Sequence, residues 1–105
     1  MAISYLEARG ITILEHSFRC RTGEIDIIGK QKELLIFFEV KYRSKNRLGY
    51  AEEAVNSRKQ KVICKTALFY LCRYGIPLNQ PMRFDVIAIN GNSIKWYPNA
   101  FPFCQ

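Results

Sequence analysis

The stretch GEIDIIGKQKELLIFFEVKYR, residues 23–43, constrains the chain more than any other. It reads as two strands joined by a short loop. Side chains alternate between faces along an extended chain, so Glu24 and Asp26 share one face of the first strand, and Ile25 and Ile27 take the other. In the second strand the unbroken apolar run 34–38 leads into Glu39, Val40, Lys41, Tyr42 and Arg43. Glu39, Lys41 and Arg43 then project from one face, and Val40 and Tyr42 from the other.

A carboxylate set directly after five apolar residues is costly to bury unless a cation, a metal or hydrogen bonds compensate it. If the two strands pair with these faces matched, Asp26 and Glu39 converge on one hard divalent cation, with Lys41 beside it and Glu24 in support. Mg2+ or Mn2+ is the implied cofactor, because magnesium favours one or two carboxylates, several waters and a phosphate oxygen. An Asp followed about a dozen residues later by Glu-X-Lys is the skeleton of a metal-dependent phosphodiesterase. By spacing alone the same charges also describe a cross-strand salt-bridge network of Glu24, Asp26, Glu39, Lys41 and Arg43, since charged alternation on a strand commonly marks a solvated face.

The segments GEIDII, FFEVKYR, RFDVIAI and the closing NAF, in that order, add a resemblance. From Tyr5-Leu6 to Ala100-Phe101 the sequence resembles the YraN family, which is grouped by fold and motif with the PD-(D/E)XK nucleases and the archaeal-type Holliday junction resolvases. The resemblance implies an α/β, restriction-endonuclease-like fold: a mixed five-stranded sheet flanked by helices, forming a single endonuclease-like domain over residues 1–105. It also implies a metal-dependent nuclease acting on structured or branched DNA. In that role Asp26 and Glu39 hold the metal with the backbone carbonyl of Val40, and Lys41 orients a water or stabilises developing charge. Resolvases of this fold act as dimers, so a homodimer is implied by resemblance.

Family members generally open their first helix with a Gly-X-X-Gly-Glu type segment whose glutamate lies near the active site. This sequence starts after it, and sequence alone does not transfer the role to Glu7: either the site works with three acidic residues, or the start codon lies upstream, or this copy is impaired. Two other readings therefore stay open. One is a nucleic-acid-binding module of nuclease fold that has lost efficient cleavage and works with a DNA-processing partner. The other is a protein-interaction scaffold without a nucleic-acid ligand.

Sixteen Lys and Arg against nine Asp and Glu give a net charge of +7, which favours a polyanionic partner, with DNA ahead of RNA. Three groups of cations are candidates for phosphate contact. Arg19 and Arg21 form a basic turn ahead of the acidic strand. Arg43, Lys45 and Arg47 belong to the polar stretch that follows it, and Arg58, Lys61 and Lys65 make a stripe at i, i+3 and i+7 of a helix, flanked by Lys59. Each is equally the pattern of a solvated turn, loop or helix face. Hydrophobic residues make up 49% of the chain, which excludes a disordered polymer. Cys20, Cys64, Cys72 and Cys104 show no C-x-x-C pair, and His16 is the only histidine, so they read as reduced thiols rather than a zinc site. No apolar run approaches a membrane span, and no basic-then-apolar leader precedes Glu7, so the expectation is a cytoplasmic protein without a membrane partner.

The remaining elements follow from periodicity and turn signals. A short helix spans 3–9 and stops at Gly10; strands follow at 11–18, 24–28 and 34–42, with 29–33 as a polar hairpin loop. Residues 51–55 offer a first helical turn. Ser57 caps a longer helix from Arg58, with Cys64, Ala67, Leu68 and Leu71 as its core stripe and Cys64 and Cys72 partly buried, ending at Gly75. A fourth strand over 83–90 puts Phe84, Val86 and Ala88 on one face and Arg83, Asp85, Ile87 and Ile89 on the other. It lies parallel to the third, because a helix separates them. Asp85 fits a salt bridge or ladder-edge role better than a metal ligand. A turn at Asn90-Gly91-Asn92, a fifth strand over 93–97 and a hydrophobic tail, AFPFC, close the chain.

Overall fold

In a computed structural model that describes residues 1–43 and 55–103, the apolar run of the third strand lies at the middle of the sheet. The elements in chain order are α1 (Ala2–Glu7), β1 (Thr12–Cys20), β2 (Gly23–Gln31), β3 (Leu34–Arg43), α2 (Ser57–Arg73), β4 (Met82–Asn90) and β5 (Ser93–Phe101). The strands lie in the order β1-β2-β3-β4-β5, with β3 and β4 parallel and the other pairs antiparallel. This is the α/β architecture expected of a restriction-endonuclease-like chain, a mixed five-stranded sheet with helices on its faces. Residues 51–54 of the expected first helical turn lie outside the described residues.

An unbroken apolar strand suits burial on both faces. Leu35 and Phe37 of β3 pack with Phe18, Tyr70, Leu71 and Phe84 on the α2 side. Ile36 and Phe38 pack with Leu6, Ile11, Ile27 and Ile87 on the α1 side. Asn56, rather than Ser57, caps α2, its side chain accepting from the Lys59 N–H at 2.8 Å. Ser57 is already helical. The helix closes where Ile76 N–H reaches Leu71 O at 2.8 Å, past Gly75 at φ 65°. Cys64 of α2 is buried but Cys72 is exposed, short of the partial burial expected for it.

The β2–β3 hairpin is tighter than the expected loop 29–33. Gly29, Lys30 and Gln31 stay in the ladder opposite Ile36, Leu35 and Leu34, and the turn is reduced to Lys32-Glu33. Gly29 is a packing glycine: a Cβ there would lie 2.6 Å from the Ile11 side chain and 3.2 Å from the Thr12 carbonyl oxygen.

At the far side of the sheet β5 runs through Pro98 to Phe101 instead of stopping at Tyr97. Val86 pairs with Tyr97 and Phe84 with Phe101, so residues 98–100 stand opposite Asp85 alone. The fully buried Asp85 carboxylate explains the bulge. It accepts from Arg83 Nε and Nη2, Trp96 Nε1 and the Asn99 N–H, each at 2.8 Å. Asn99 takes φ 53° to make that contact, a conformation asparagine tolerates better than most residues. The salt-bridge reading of Asp85 is the one that holds. Phe101 and Phe103 then stack on Phe84, with centroids 5.1 and 5.8 Å away, as the packed hydrophobic tail.

Removing one partner from a buried charge cluster strands the others. Asp85→Ala is expected to cost about 3–5 kcal/mol in urea-induced unfolding. Trp96→Phe, which deletes one neutral donor, should cost about 1 kcal/mol. Equal losses in the two variants would show that Asp85 is not the hub of this contact.

Candidate functional site

The β2–β3 ladder ends at Ile27–Phe38. Continued in register it would pair Asp26 with Glu39; instead the strands part, and β3 runs on beside β4 as far as Arg43 and Asn90. Parting leaves the Val40 N–H without a backbone acceptor on that side. Asp26 supplies one from its side chain, Oδ2 accepting the Val40 N–H at 2.7 Å. The carboxylate thereby sits in the crotch of the fork, held by a backbone donor.

The alternation expected along β2 fails at this residue. Ile25 packs on the α2 side and Ile27 on the α1 side, although strict alternation would put them together. The neighbouring strand is irregular at the same level. Ser17 adopts φ 52°, and neither it nor Asp26 has a partner in a ladder that pairs Phe18 with Ile25 and His16 with Ile27. Glu24 consequently does not share a simple face with Asp26. It pairs across the ladder with Arg19, with Nε and Oε2 3.4 Å apart. Among the described residues no three acidic, histidine or cysteine side chains form a metal-holding group, so Asp26 and Glu39 stand as a pair.

Glu39 and Lys41 do project from one face, as expected. Lys41 Nζ is 3.4 Å from Glu39 Oε2, and a second ammonium, Lys59 Nζ from the first turn of α2, is 3.6 Å from the same oxygen. Glu39 is 6% exposed. Burial raises the pKa of its carboxyl above the usual range, and the charge and hydrogen bond of Asp26 push it the same way, while Lys59 and Lys41 oppose them. Lys59 is the member of the constellation that sequence reasoning left outside it, as a flank of the basic stripe. No spacing rule connects a helical turn to a strand 20 positions earlier; its presence follows from how α2 docks.

Asp26 also reaches the α1 side, where it lines a cleft of about 270 Å3 with Met1, His16, Ser17, Val40 and Tyr42. Asp26 is thus approachable from solvent on that side, whereas Glu39 does not line the cleft. Arg58, Lys61 and Lys65 are exposed along α2 and form no ion pair with a described residue, and Arg21 is likewise exposed. The expectations for the Arg43 side chain, Lys45 and Arg47 fall outside the described residues. No helix among the described residues is long and apolar enough to cross a membrane.

The fork suits a hard divalent ion on the chemistry of its donors. Burial and the neighbouring Asp26 charge make ionised Glu39 costly, which a 2+ ion would relieve, and two protein carboxylates with room for water is a composition magnesium accepts.

Comparison with known proteins places the whole arrangement in context. The model of the uncharacterised protein family UPF0102 matches residues 1–89. A UPF0102 protein of Lachnoclostridium phytofermentans is 42% identical over 100 residues, covering 95% of this chain and 85% of the relative. A UPF0102 protein of Hahella chejuensis is 43% identical over 103 residues, covering 95% and 82%, and one of Nitrosococcus oceani 40% identical over 105 residues, covering 96% and 85%.

Because the folded state raises the Glu39 pKa, this residue favours folding below the ordinary glutamate range, and that contribution is lost as pH rises through the raised value. Without divalent ions, Glu39→Gln should therefore melt above the parent at pH 7 and level with it near pH 4. Thermal unfolding in chelator at both pH values measures this; a variant less stable than the parent at pH 7 would mean that the lysines outweigh burial and Asp26.

Proposed function

The chain belongs to the uncharacterised protein family UPF0102, the YraN family, and from that premise and the Asp26–Glu39 pair at the fork we propose that it is a metal-dependent nuclease hydrolysing phosphodiester bonds of structured or branched DNA. The observation that carries the reading is the convergence of two carboxylates, one of them buried, with an ammonium 3.4 Å from the second. Asp26 and Glu39 would hold Mg2+ or Mn2+. The Val40 carbonyl joins them as a candidate ligand, since a strand residue directs its N–H and C=O to the same edge and the Val40 N–H already points at Asp26. The chemistry such an ion would supply is polarisation of the scissile phosphate and a lowered pKa for an attacking water.

The other steps belong to this chain's side chains. Asp26 is held in place by the Val40 N–H and cannot swing away from the fork. Lys41 sets a positive charge where the phosphate gains negative charge, a placement that lowers the barrier because the charge is already oriented. Glu24, paired with Arg19, lies outside the acid pair and acts through the local field rather than as a ligand. Arg58, Lys61 and Lys65 offer exposed cations to the backbone, with Arg19 and Arg21 at the β1–β2 turn. A dimer that cuts two strands symmetrically and a cytoplasmic location are part of the same proposal.

The test is a panel of labelled branched, nicked, single-stranded and duplex DNAs incubated with Mg2+ or Mn2+. Cleavage is expected from the parent, none from Glu39→Gln, and a rate roughly 10²–10³-fold lower from Lys41→Ala, with DNA binding retained in both. Binding without cleavage by the parent would favour a non-cleaving binding module, and equal cleavage by all three proteins would overturn the site. Replacing Arg58, Lys61 and Lys65 together by alanine should lower DNA affinity and reduce the slope of log affinity against log salt by about 2–3. An unchanged slope would assign that stripe to solvent.

A further inference from the structure

Glu39 Oε2 is shared by two ammonium groups, and their anchorage differs. Lys41 lies two residues along the same strand, and its side chain is 30% exposed. Lys59 reaches in from another element, and its side chain is 42% exposed. The Lys59 backbone is fixed, because its N–H is the donor to the Asn56 cap at 2.8 Å and the next residue, Gln60, ties its side chain to the Val55 carbonyl at 2.8 Å. What remains free is a four-carbon stem ending in a strongly hydrated charge. Both lysines can swing on their stems without displacing backbone, but Lys59 is the more exposed, and its outward swing leads to the cationic face of α2.

We infer that Lys59 is the resident counter-ion of Glu39 in the metal-free protein, and that a divalent ion entering the fork releases it to a phosphate of the substrate. The inference rests on the metal-dependent reading of Asp26 and Glu39 and adds a regulatory step to it. In the metal-free state Lys59 offsets the charge of a buried carboxylate. A 2+ ion on the same oxygen takes over that task and repels the ammonium, which moves outward on its stem. It does so at the N-terminal end of the helix whose exposed face carries Arg58, Lys61 and Lys65, where it joins cations already turned to solvent. Metal and nucleic acid are then coupled: each favours the Lys59 position that the other needs.

Mn2+ titration calorimetry tests the first half, on the parent, Lys59→Met, Lys59→Arg and Lys30→Met, the last removing an exposed charge at the far end of β2. Lys59→Met should bind Mn2+ about fivefold or more tightly than the parent, with Lys59→Arg and Lys30→Met close to the parent. Binding of a labelled DNA four-way junction with and without Ca2+ tests the second half. The gain in affinity on adding Ca2+ should be smaller in Lys59→Met than in the parent. If the parent binds Mn2+ and Lys59→Met binds it no more tightly, the counter-ion role is overturned while the metal site stands. If none of the four proteins binds Mn2+, the metal site and the inference fall together. Tighter Mn2+ binding with an undiminished Ca2+ effect on DNA would overturn the release to phosphate.

Discussion

The hydrogen bond from the Val40 N–H to the Asp26 carboxylate is the contact on which the site depends. A sheet that parts in its middle leaves backbone donors and acceptors facing a gap, and unpaired groups of that kind are costly away from water. Here the gap is closed by a charged side chain instead of a strand. The substitution does two things at once: it satisfies the Val40 donor and fixes a carboxylate beside Glu39, on the strand that packs most deeply in the core. The fork is therefore as rigid as β3 itself, which is held by β4 from Leu35 to Arg43.

That rigidity comes at the expense of stability. Glu39 is buried next to Asp26, against two ammonium groups that are themselves partly solvated, and its raised pKa means that ionising it costs more in the folded chain than in the unfolded one. A fold selected for stability alone would place an apolar residue at position 39, continuing the run 34–38. Retaining a frustrated carboxylate beside a second one that lines a cleft is a pattern by which functional sites are recognised physically. Asp85 is the counter-example in the same sheet. It too is a buried aspartate on a central strand, yet Arg83, Trp96 and Asn99 satisfy it from four directions, and it serves architecture.

Much of this was legible in the sequence wherever the signal was local. The run 34–38 followed by alternating charge marked β3 and put Glu39 and Lys41 on one face, because strand periodicity needs no partner to be read. The parallel β4 followed from the helix between the strands. What escaped depended on distant residues. The switch of faces at Asp26 coincides with the left-handed Ser17 on another strand; Gly29 looked like a turn, because the sequence does not reveal that Ile11 crowds it; Lys59 joins Glu39 through the docking of α2. Pro98 looked like the end of β5, whereas Asp85 draws the strand around it.

Both outer strands of the sheet share one more property. β1 carries a register shift between Ile13 and Glu15 and the left-handed Ser17, and β5 carries Pro98 and the left-handed Asn99 opposite Asp85. An unbroken edge is a template on which any extended chain can grow; an interrupted one is not. These borders interrupt the run of hydrogen bonds that a foreign strand could make along either edge of the five described strands. Growth of the sheet from one copy into the next is disfavoured for the same reason.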